Sequence, residues 1–126
     1  VFSYFDTGKK VSQAEPERFY HGFVLGLIVE LEGRYRITSN RESGFGRYDI
    51  MLIPRPQRKG SLPAVVLEFK VYNEKKEKNL EDTVKAALQQ IEEKQYDVEL
   101  IGLGFEKEEI HHYGFAFKGK EVLIGE

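Results

Sequence analysis

The sequence contains no cysteine among its 126 residues. Without cysteine the chain cannot form a disulfide scaffold, use a thiolate nucleophile or bind zinc through thiolates. The same absence agrees with a cytoplasmic location, where thiols stay reduced and disulfides are rare. No apolar run approaches the roughly 20 residues that a helix needs to span a bilayer, so no membrane association is expected.

The sequence also lacks an excess of positive charge. Lys and Arg total 19 against 21 Asp and Glu, which gives a formal net charge of −2. A protein that coats a polyanion nonspecifically usually carries a clear positive excess. A nucleic-acid partner must therefore be argued from a local site.

The length suits one compact domain over residues 1–126, with residues 1–14 as an amino-terminal lead-in segment. The first residue is Val1 instead of Met, which predicts a domain cut from a longer protein. Hydrophobic residues make up 40% and charged residues 32%, a composition typical of globular proteins.

Apolar periodicity predicts an α/β fold, a mixed central sheet flanked by helices. Helices are predicted over residues 15–31 and 79–95. Strands are predicted over residues 35–40, 47–53, 64–71, 110–118 and 121–124, while residues 97–104 fit a short helix or a strand. Gly22 and Gly26 share one face of the first helix, which predicts close packing of another element there.

Three charged residues stand out in the predicted sheet. Glu68 and Lys70 interrupt an otherwise apolar strand and point to the same face, because strand side chains alternate. Charges in such a run cost several kcal/mol if they are buried and unpaired, so this face is expected to open onto a cleft. Asp49 lies on the preceding strand, and its carboxylate could meet that of Glu68 if the two strands are neighbours.

Two carboxylates at close range repel each other unless a cation or a proton lies between them. Mg²⁺ suits such a site, because it takes oxygen ligands and is typically held by one or two carboxylates plus substrate phosphate. The backbone carbonyl of Phe69 could add a ligand. Lys70 would then orient the attacking water and offset charge on the scissile phosphate, which describes phosphodiester hydrolysis.

The spacing of Asp49 and Glu68-Phe69-Lys70 resembles the PD-(D/E)XK nuclease signature, and the predicted element order resembles the αβββαβ core of that restriction-endonuclease-like fold. Longer blocks at residues 2–6, 19–27, 40–51 and 113–117 resemble the nuclease-type domain at the carboxyl end of predicted AAA-ATPase-like proteins. Tyr48 replaces the Pro expected before the Asp, but that Pro is not a ligand.

The resemblance implies a Mg²⁺- or Mn²⁺-dependent nuclease that acts on DNA, with Asp49 and Glu68 as metal ligands and Lys70 as the catalytic lysine. It further implies an acidic residue from the first helix and a Gln from the second, for which Glu17 and Gln90 are the candidates. Glu17 is equally explained as a partner of the helix dipole, and Gln90 as a solvated helix residue.

Several other residues have both a functional and a structural explanation. His21 could approach the site or be structural, and Glu42 could be an outer metal ligand or serve turn formation. The segment of residues 75–78 is interpreted as solvated surface, and His111 and His112 point to opposite faces of a strand and cannot chelate one metal. Five basic residues cluster in sequence around the site and could bind DNA backbone or form solvated loops: Arg41, Arg47, Arg55, Arg58 and Lys59.

Three functions are consistent with these residues. The first is a metal-dependent DNA endonuclease, and its sharper variant is a dimeric, structure-selective enzyme of the junction-resolvase kind. The second is a noncatalytic nuclease-fold module that binds a partner. The third is a structural interaction domain fused to an ATPase, which an exposed apolar patch would favour.

Overall fold

A computed structural model of the chain contains a mixed β-sheet with helices on both faces. The structure describes the backbone of residues 2–6, 14–41 and 47–126, and the side chains of residues 22–39 and 49–126. Within these residues the elements, in chain order, are β1 (Phe2–Asp6), α1 (Ala14–Leu31), β2 (Tyr35–Arg41), β3 (Arg47–Pro54), β4 (Ala64–Val71), α2 (Leu80–Glu93), α3 (Tyr96–Gly102), β5 (Ile110–Lys118) and β6 (Glu121–Gly125).

The six described strands form one sheet in the order β1-β6-β5-β4-β3-β2. β4 and β5 are parallel, while the other neighbouring pairs are antiparallel. The chain passes from β4 to β5 through α2 and α3, because parallel strands need a long crossover connection. This arrangement confirms the predicted αβββαβ core. No helix within the described residues has the length and hydropathy needed to cross a bilayer.

The helix α1 covers one face of the sheet. Val24 is buried in this core, and Phe23 packs edge-on against Phe117 with ring centroids 5.4 Å apart. The strands contribute alternate residues such as Leu67 and Phe69 to the same cluster. An apolar stripe on α1 therefore closes this face of the sheet.

The helices α2 and α3 cover the opposite face. Asn79 caps α2, and its side-chain oxygen accepts a hydrogen bond from the Asp82 amide at 2.9 Å. Val84 and Ile91 of α2 and Leu100 of α3 are buried against the sheet. Asp49, Glu68 and Lys70 belong to this face by strand alternation, so α2 and α3 determine how open the candidate site is.

Most predicted helix and strand boundaries are confirmed within a residue or two, but two segments need comment. Residues 97–104, which the sequence left ambiguous, form most of α3, and the left-handed backbone of Gln95 (φ 54°) separates it from α2. The segment Phe2–Asp6 is an edge strand paired with β6, which the sequence did not predict.

The packing prediction for Gly22 and Gly26 is wrong. Among the described residues, a Cβ added at either glycine would have nothing within 4 Å, and both glycines are exposed. The close approach occurs at Gly114 of β5, where an added Cβ would lie 2.9 Å from the Val84 carbonyl oxygen. Glycine is therefore required where α2 crosses the sheet, not on α1.

Candidate active site

Two acidic residues are directly opposed on the central strands. Asp49 of β3 and Glu68 of β4 are partners in the antiparallel register, and such partners have Cα atoms about 4.5 to 5.5 Å apart. Only 6% of Asp49 and 0% of Glu68 are exposed. The predicted convergence of these two residues is thus present, beneath the helices of the α2 face.

Lys70 lies two residues beyond Glu68, on the same face of β4. Its Nζ forms an ion pair and hydrogen bond with Oε2 of Glu77, in the connection between β4 and α2. The side chain of Lys70 is 18% exposed and that of Glu77 only 5%. The ammonium group is therefore held at the mouth of the site by a nearly buried carboxylate.

Glu77 is itself anchored through its second carboxylate oxygen. Oε1 accepts hydrogen bonds from the Asn73 amide at 2.8 Å and from the Thr83 hydroxyl at 2.9 Å. Burial alone would raise the pKa of Glu77, but these two hydrogen bonds and the hydrogen bond and charge of Lys70 together hold the pKa below its usual range. Glu77 is therefore a charged residue with a fixed orientation.

Backbone contacts shape the loop that carries Glu77. The Tyr72 hydroxyl donates to the Glu77 carbonyl at 3.0 Å, and the amides of Lys76 and Glu77 both donate to the Asn73 carbonyl. The interpretation of residues 75–78 as solvated surface holds for Lys75, Lys76 and Lys78, which are exposed, but it is wrong for Glu77. No local pattern marks Glu77, because its burial results from contacts with β4 and α2.

One side of α2 faces the candidate site. Spacings of seven and four residues place three side chains on one line along the helix: Thr83, Gln90 and Lys94. Thr83 contacts Glu77, and Lys94 Nζ lies 3.8 Å from Oδ2 of Asp49. Gln90 is half-buried between these two contacts, so it lies on the side of α2 that faces the carboxylates. Sequence reasoning missed Lys94, whose place at the end of α2 depends on how the helix packs.

A cavity of about 180 Å³ lies beside Asp49. Thr38, Met51 and Val66 contribute to its lining from the sheet, and Tyr96 and Glu99 from α3. The short helix α3 thus borders the β2–β3 side of the site. The residues of α3 were not predicted to approach the site, because the segment could not be assigned to a helix or strand from its pattern.

The predicted basic residues separate into two groups. Arg41 ends β2, and Arg47 begins β3 in register with Lys70, so both backbone positions lie at the end of the sheet that carries the site. Arg55, Arg58 and Lys59 instead follow the far end of β3, about 20 Å from Asp49 along the strand. Their proximity to Asp49 in sequence does not bring these three residues to the site, because β3 runs away from it.

Two of these three residues, Arg55 and Lys59, also have structural contacts of their own. Arg55 Nε donates to the Glu32 carbonyl at 2.8 Å, and Lys59 Nζ lies 5.5 Å from the centre of the Phe105 ring. These contacts tie the β3–β4 connection to the end of α1 and to the segment after α3. They give Arg55 and Lys59 roles in the fold that do not require a ligand.

The remaining candidates are Glu17, His21 and Glu42, whose side chains lie outside the described residues. Glu17 and His21 belong to α1, and the described part of α1 packs on the sheet face opposite Asp49 and Glu68. The two adjacent histidines of β5 point apart as expected. His112 Nε2 lies 2.6 Å from Oδ1 of Asp97 in α3, and the exposed His111 stacks on Tyr113.

The donor atoms at the site fit a hard divalent cation. Asp49 and Glu68 supply carboxylate oxygens, and Mg²⁺ or Mn²⁺ prefers oxygen ligands and keeps several waters. The ring of Phe69 is buried on the α1 face and carries no donor atom, so the predicted contribution of this residue is limited to its backbone carbonyl. No group of three or more His, Asp or Glu side chains suitable for a metal occurs among the described residues. Substrate and water would have to complete the coordination.

Comparison with known proteins agrees with this arrangement. A family model described as PD-(D/E)XK nuclease superfamily matches residues 15–126, a span that includes Asp49, Glu68 and Lys70. No curated protein and no solved structure matches the chain. The family match extends over most of the sequence and over all the elements that build the site. The chain therefore belongs to the PD-(D/E)XK nuclease superfamily.

Proposed function

We propose that the chain is a metal-dependent DNA endonuclease that hydrolyses phosphodiester bonds. The observation that carries this proposal is the direct opposition of Asp49 and Glu68 on adjacent strands, with Lys70 one step further on the same face. Carboxylate pairs of this kind bind divalent cations. An ammonium group beside them suits a reaction that develops negative charge on phosphate oxygens.

In this proposal Asp49, Glu68 and the carbonyl of Phe69 hold Mg²⁺ or Mn²⁺. When bound, the cation supplies Lewis-acid activation of a water molecule and neutralises charge on the phosphate. The burial of both carboxylates keeps bulk water away and strengthens their interaction with a cation. The protein thus provides two buried carboxylates, with a cavity beside Asp49, at one end of the sheet.

Lys70 has a separate task in the mechanism. Its ammonium group donates hydrogen bonds and can orient the attacking water or stabilise the negative charge of the transition state. Glu77 already accepts from Nζ, and an ammonium group has two further N–H bonds to offer. Gln90, on the line between Thr83 and Lys94, can add a hydrogen bond to the same water or to a phosphate oxygen.

DNA is proposed as the substrate through local contacts. The net charge of −2 does not favour extended electrostatic coating of a polyanion. Arg41 and Arg47, at the site end of β2 and β3, are the proposed phosphate contacts. Dimer formation and an ATPase domain in the same chain remain predictions.

The experiment is a plasmid-nicking assay with purified protein in Mg²⁺ or Mn²⁺. The wild type is expected to nick DNA, while Lys70→Ala lowers the rate by about 100-fold or more and leaves the circular dichroism spectrum unchanged. Lys75→Ala is the matched control, because Lys75 is exposed in the loop that follows β4. A four-way junction assayed beside a linear duplex tests the resolvase variant.

Two results would contradict the proposal. The first is a folded wild-type chain that cleaves no DNA in either metal. The second is Lys70→Ala protein that cleaves at the wild-type rate. Either result would favour a noncatalytic nuclease-fold module.

A further inference from the structure

We propose that Glu77 is a positioning residue for Lys70, an inference that rests on the proposed function of the site. Glu77 lies seven residues after Lys70, beyond the end of β4, and its Oε2 accepts from Lys70 Nζ. The family signature ends at Lys70. Glu77 is therefore an additional part of the active site that this chain supplies from the β4–α2 connection.

The carboxylate of Glu77 is placed by groups on both sides of it. The Asn73 amide donates to Oε1 from the loop, and the Thr83 hydroxyl donates to the same oxygen from the fourth residue of α2. Thr83 is fully buried, so its hydroxyl is held by the packing of α2 on the sheet. One oxygen thus anchors Glu77 to the fold, and the other oxygen holds Lys70.

The anchoring of Glu77 through one oxygen has a physical consequence for Lys70, which the other oxygen contacts. A lysine side chain has four flexible carbons, and fixing it in one rotamer costs conformational entropy. The contact with an anchored carboxylate keeps the ammonium group near the carboxylates of β3 and β4 before substrate arrives. Without Glu77, the partly exposed Lys70 is free to turn toward solvent, and the attacking water loses a fixed neighbour.

The test compares Glu77→Gln with the wild type in steady-state cleavage. Glutamine keeps the size of the side chain and one acceptor oxygen, but it removes the charge that holds Lys70. We expect kcat to fall about 10- to 100-fold with KM changed by less than about twofold, because orientation acts on the reaction and not on binding. Glu74→Gln, an exposed carboxylate in the same loop, is the control and should leave both constants unchanged.

A second pair of variants covers the possibility that Glu77→Gln folds poorly. Thr83→Val removes the hydroxyl that anchors Glu77 while it keeps the shape of the side chain. Thr83→Ser keeps that hydroxyl and removes only the methyl group. We expect Thr83→Val to lower kcat in the same manner and Thr83→Ser to recover it. A role confined to stability would change the unfolding midpoint of Thr83→Val without this split between kcat and KM.

The position of Lys70 is also measured without any catalysis. Limited acetylation followed by mass spectrometry gives the relative reactivity of each lysine. In the wild type Lys70 should react more slowly than the exposed Lys75, and Glu77→Gln should bring the two rates close together.

The outcomes separate this inference from the function on which it rests. A wild-type chain that cleaves no DNA overturns the proposed function and with it the role of Glu77. A wild-type chain that requires Lys70, combined with Glu77→Gln and Thr83→Val variants that retain the wild-type kcat, overturns only the role of Glu77. Equal acetylation of Lys70 in wild type and Glu77→Gln also contradicts the role of Glu77.

Discussion

Glu77 shows how one buried carboxylate links the fold to the candidate active site. It receives hydrogen bonds from the Asn73 amide and the Thr83 hydroxyl and forms an ion pair with Lys70. Hydrogen bonds to a charged group are worth about 1.5 to 3 kcal/mol each. The ionised form of this residue therefore stabilises the fold, and it is also the form that holds Lys70 in the proposed active site.

The first prediction concerns the pH dependence of stability. The pKa of Glu77 in the folded chain lies below its reference value of 4.5, so in acid the unfolded chain binds the proton first. The stabilisation is fully present above the unfolded pKa and is lost as pH falls through the folded pKa. Urea unfolding over a series of pH values should show the gap between wild type and Glu77→Gln constant at neutral pH and smaller in acid. A gap that widens in acid would contradict this assignment.

The second prediction concerns Lys94, whose Nζ lies 3.8 Å from Oδ2 of Asp49. An ammonium group at this distance competes with a divalent cation for the same carboxylate. Lys94→Met is expected to tighten Mn²⁺ binding about fivefold, which corresponds to roughly 1 kcal/mol for a partly exposed ion pair. Isothermal titration calorimetry measures the change, and Lys85→Met on the exposed side of α2 is the control. Unchanged or weaker binding by Lys94→Met would show that Lys94 does not compete.

At the scale of elements, the decisive contact is the approach of α2 to the sheet. Thr83, Gln90 and Lys94 reach the site only because α2 lies close to β4 and β5. Gly114 of β5 permits this distance, since an added Cβ would meet the Val84 carbonyl oxygen at 2.9 Å and the Ala87 Cβ at 3.2 Å. The position of one glycine therefore influences the geometry of the whole site.

The third prediction tests this contact with a pair of glycine variants. Gly114→Ala should destabilise the protein by about 1 to 3 kcal/mol, the usual penalty for an overpacked core. Gly26→Ala should stabilise it by up to about 1 kcal/mol, because Gly26 is exposed within a helix and an added Cβ would meet none of the atoms that the structure describes within 4 Å. Chemical denaturation measures both. If Gly114→Ala is as stable as wild type, the approach of α2 is not limited by this glycine.

Sequence patterns predict the strands of the site well. The continuous apolar run of β4 predicts a strand covered on both faces, and its two charges mark the face that carries the candidate site. Strand alternation then brings Glu68 and Lys70 to one side, and the antiparallel neighbour supplies Asp49. These parts are predictable because they depend on local periodicity and on short connections.

The parts contributed by long-range packing are not predictable in this way. In the sequence Glu77 is one charge within a run of charges of both signs. Its burial depends on contacts with Thr83 and Lys70, which the sequence pattern does not reveal. Lys94 lies at the end of α2, where a lysine is usually explained by the helix dipole. The strand Phe2–Asp6 pairs with β6 at the other end of the chain, and a five-residue segment carries no signal of such a partner.

At the scale of the whole molecule, the sheet separates the face covered by α1 from the face that carries the candidate site. The α1 face is an aromatic and aliphatic core that includes Phe23, Phe69 and Phe117. The opposite face carries Asp49 and Glu68 beneath α2 and beside a cavity bordered by α3. Both faces contribute to the core, since Val84, Ile91 and Leu100 are buried on the face of the candidate site as well.

The most direct test of the central claim is anomalous diffraction from crystals soaked in Mn²⁺. A peak is expected in the anomalous map between the carboxylates of Asp49 and Glu68, within about 2.0 to 2.3 Å of an oxygen from each. The peak should be absent from Asp49→Asn crystals soaked in the same way. Wild-type crystals without a peak at this position under saturating Mn²⁺, or with the ion bound elsewhere, would contradict the claim that these two residues form the metal site.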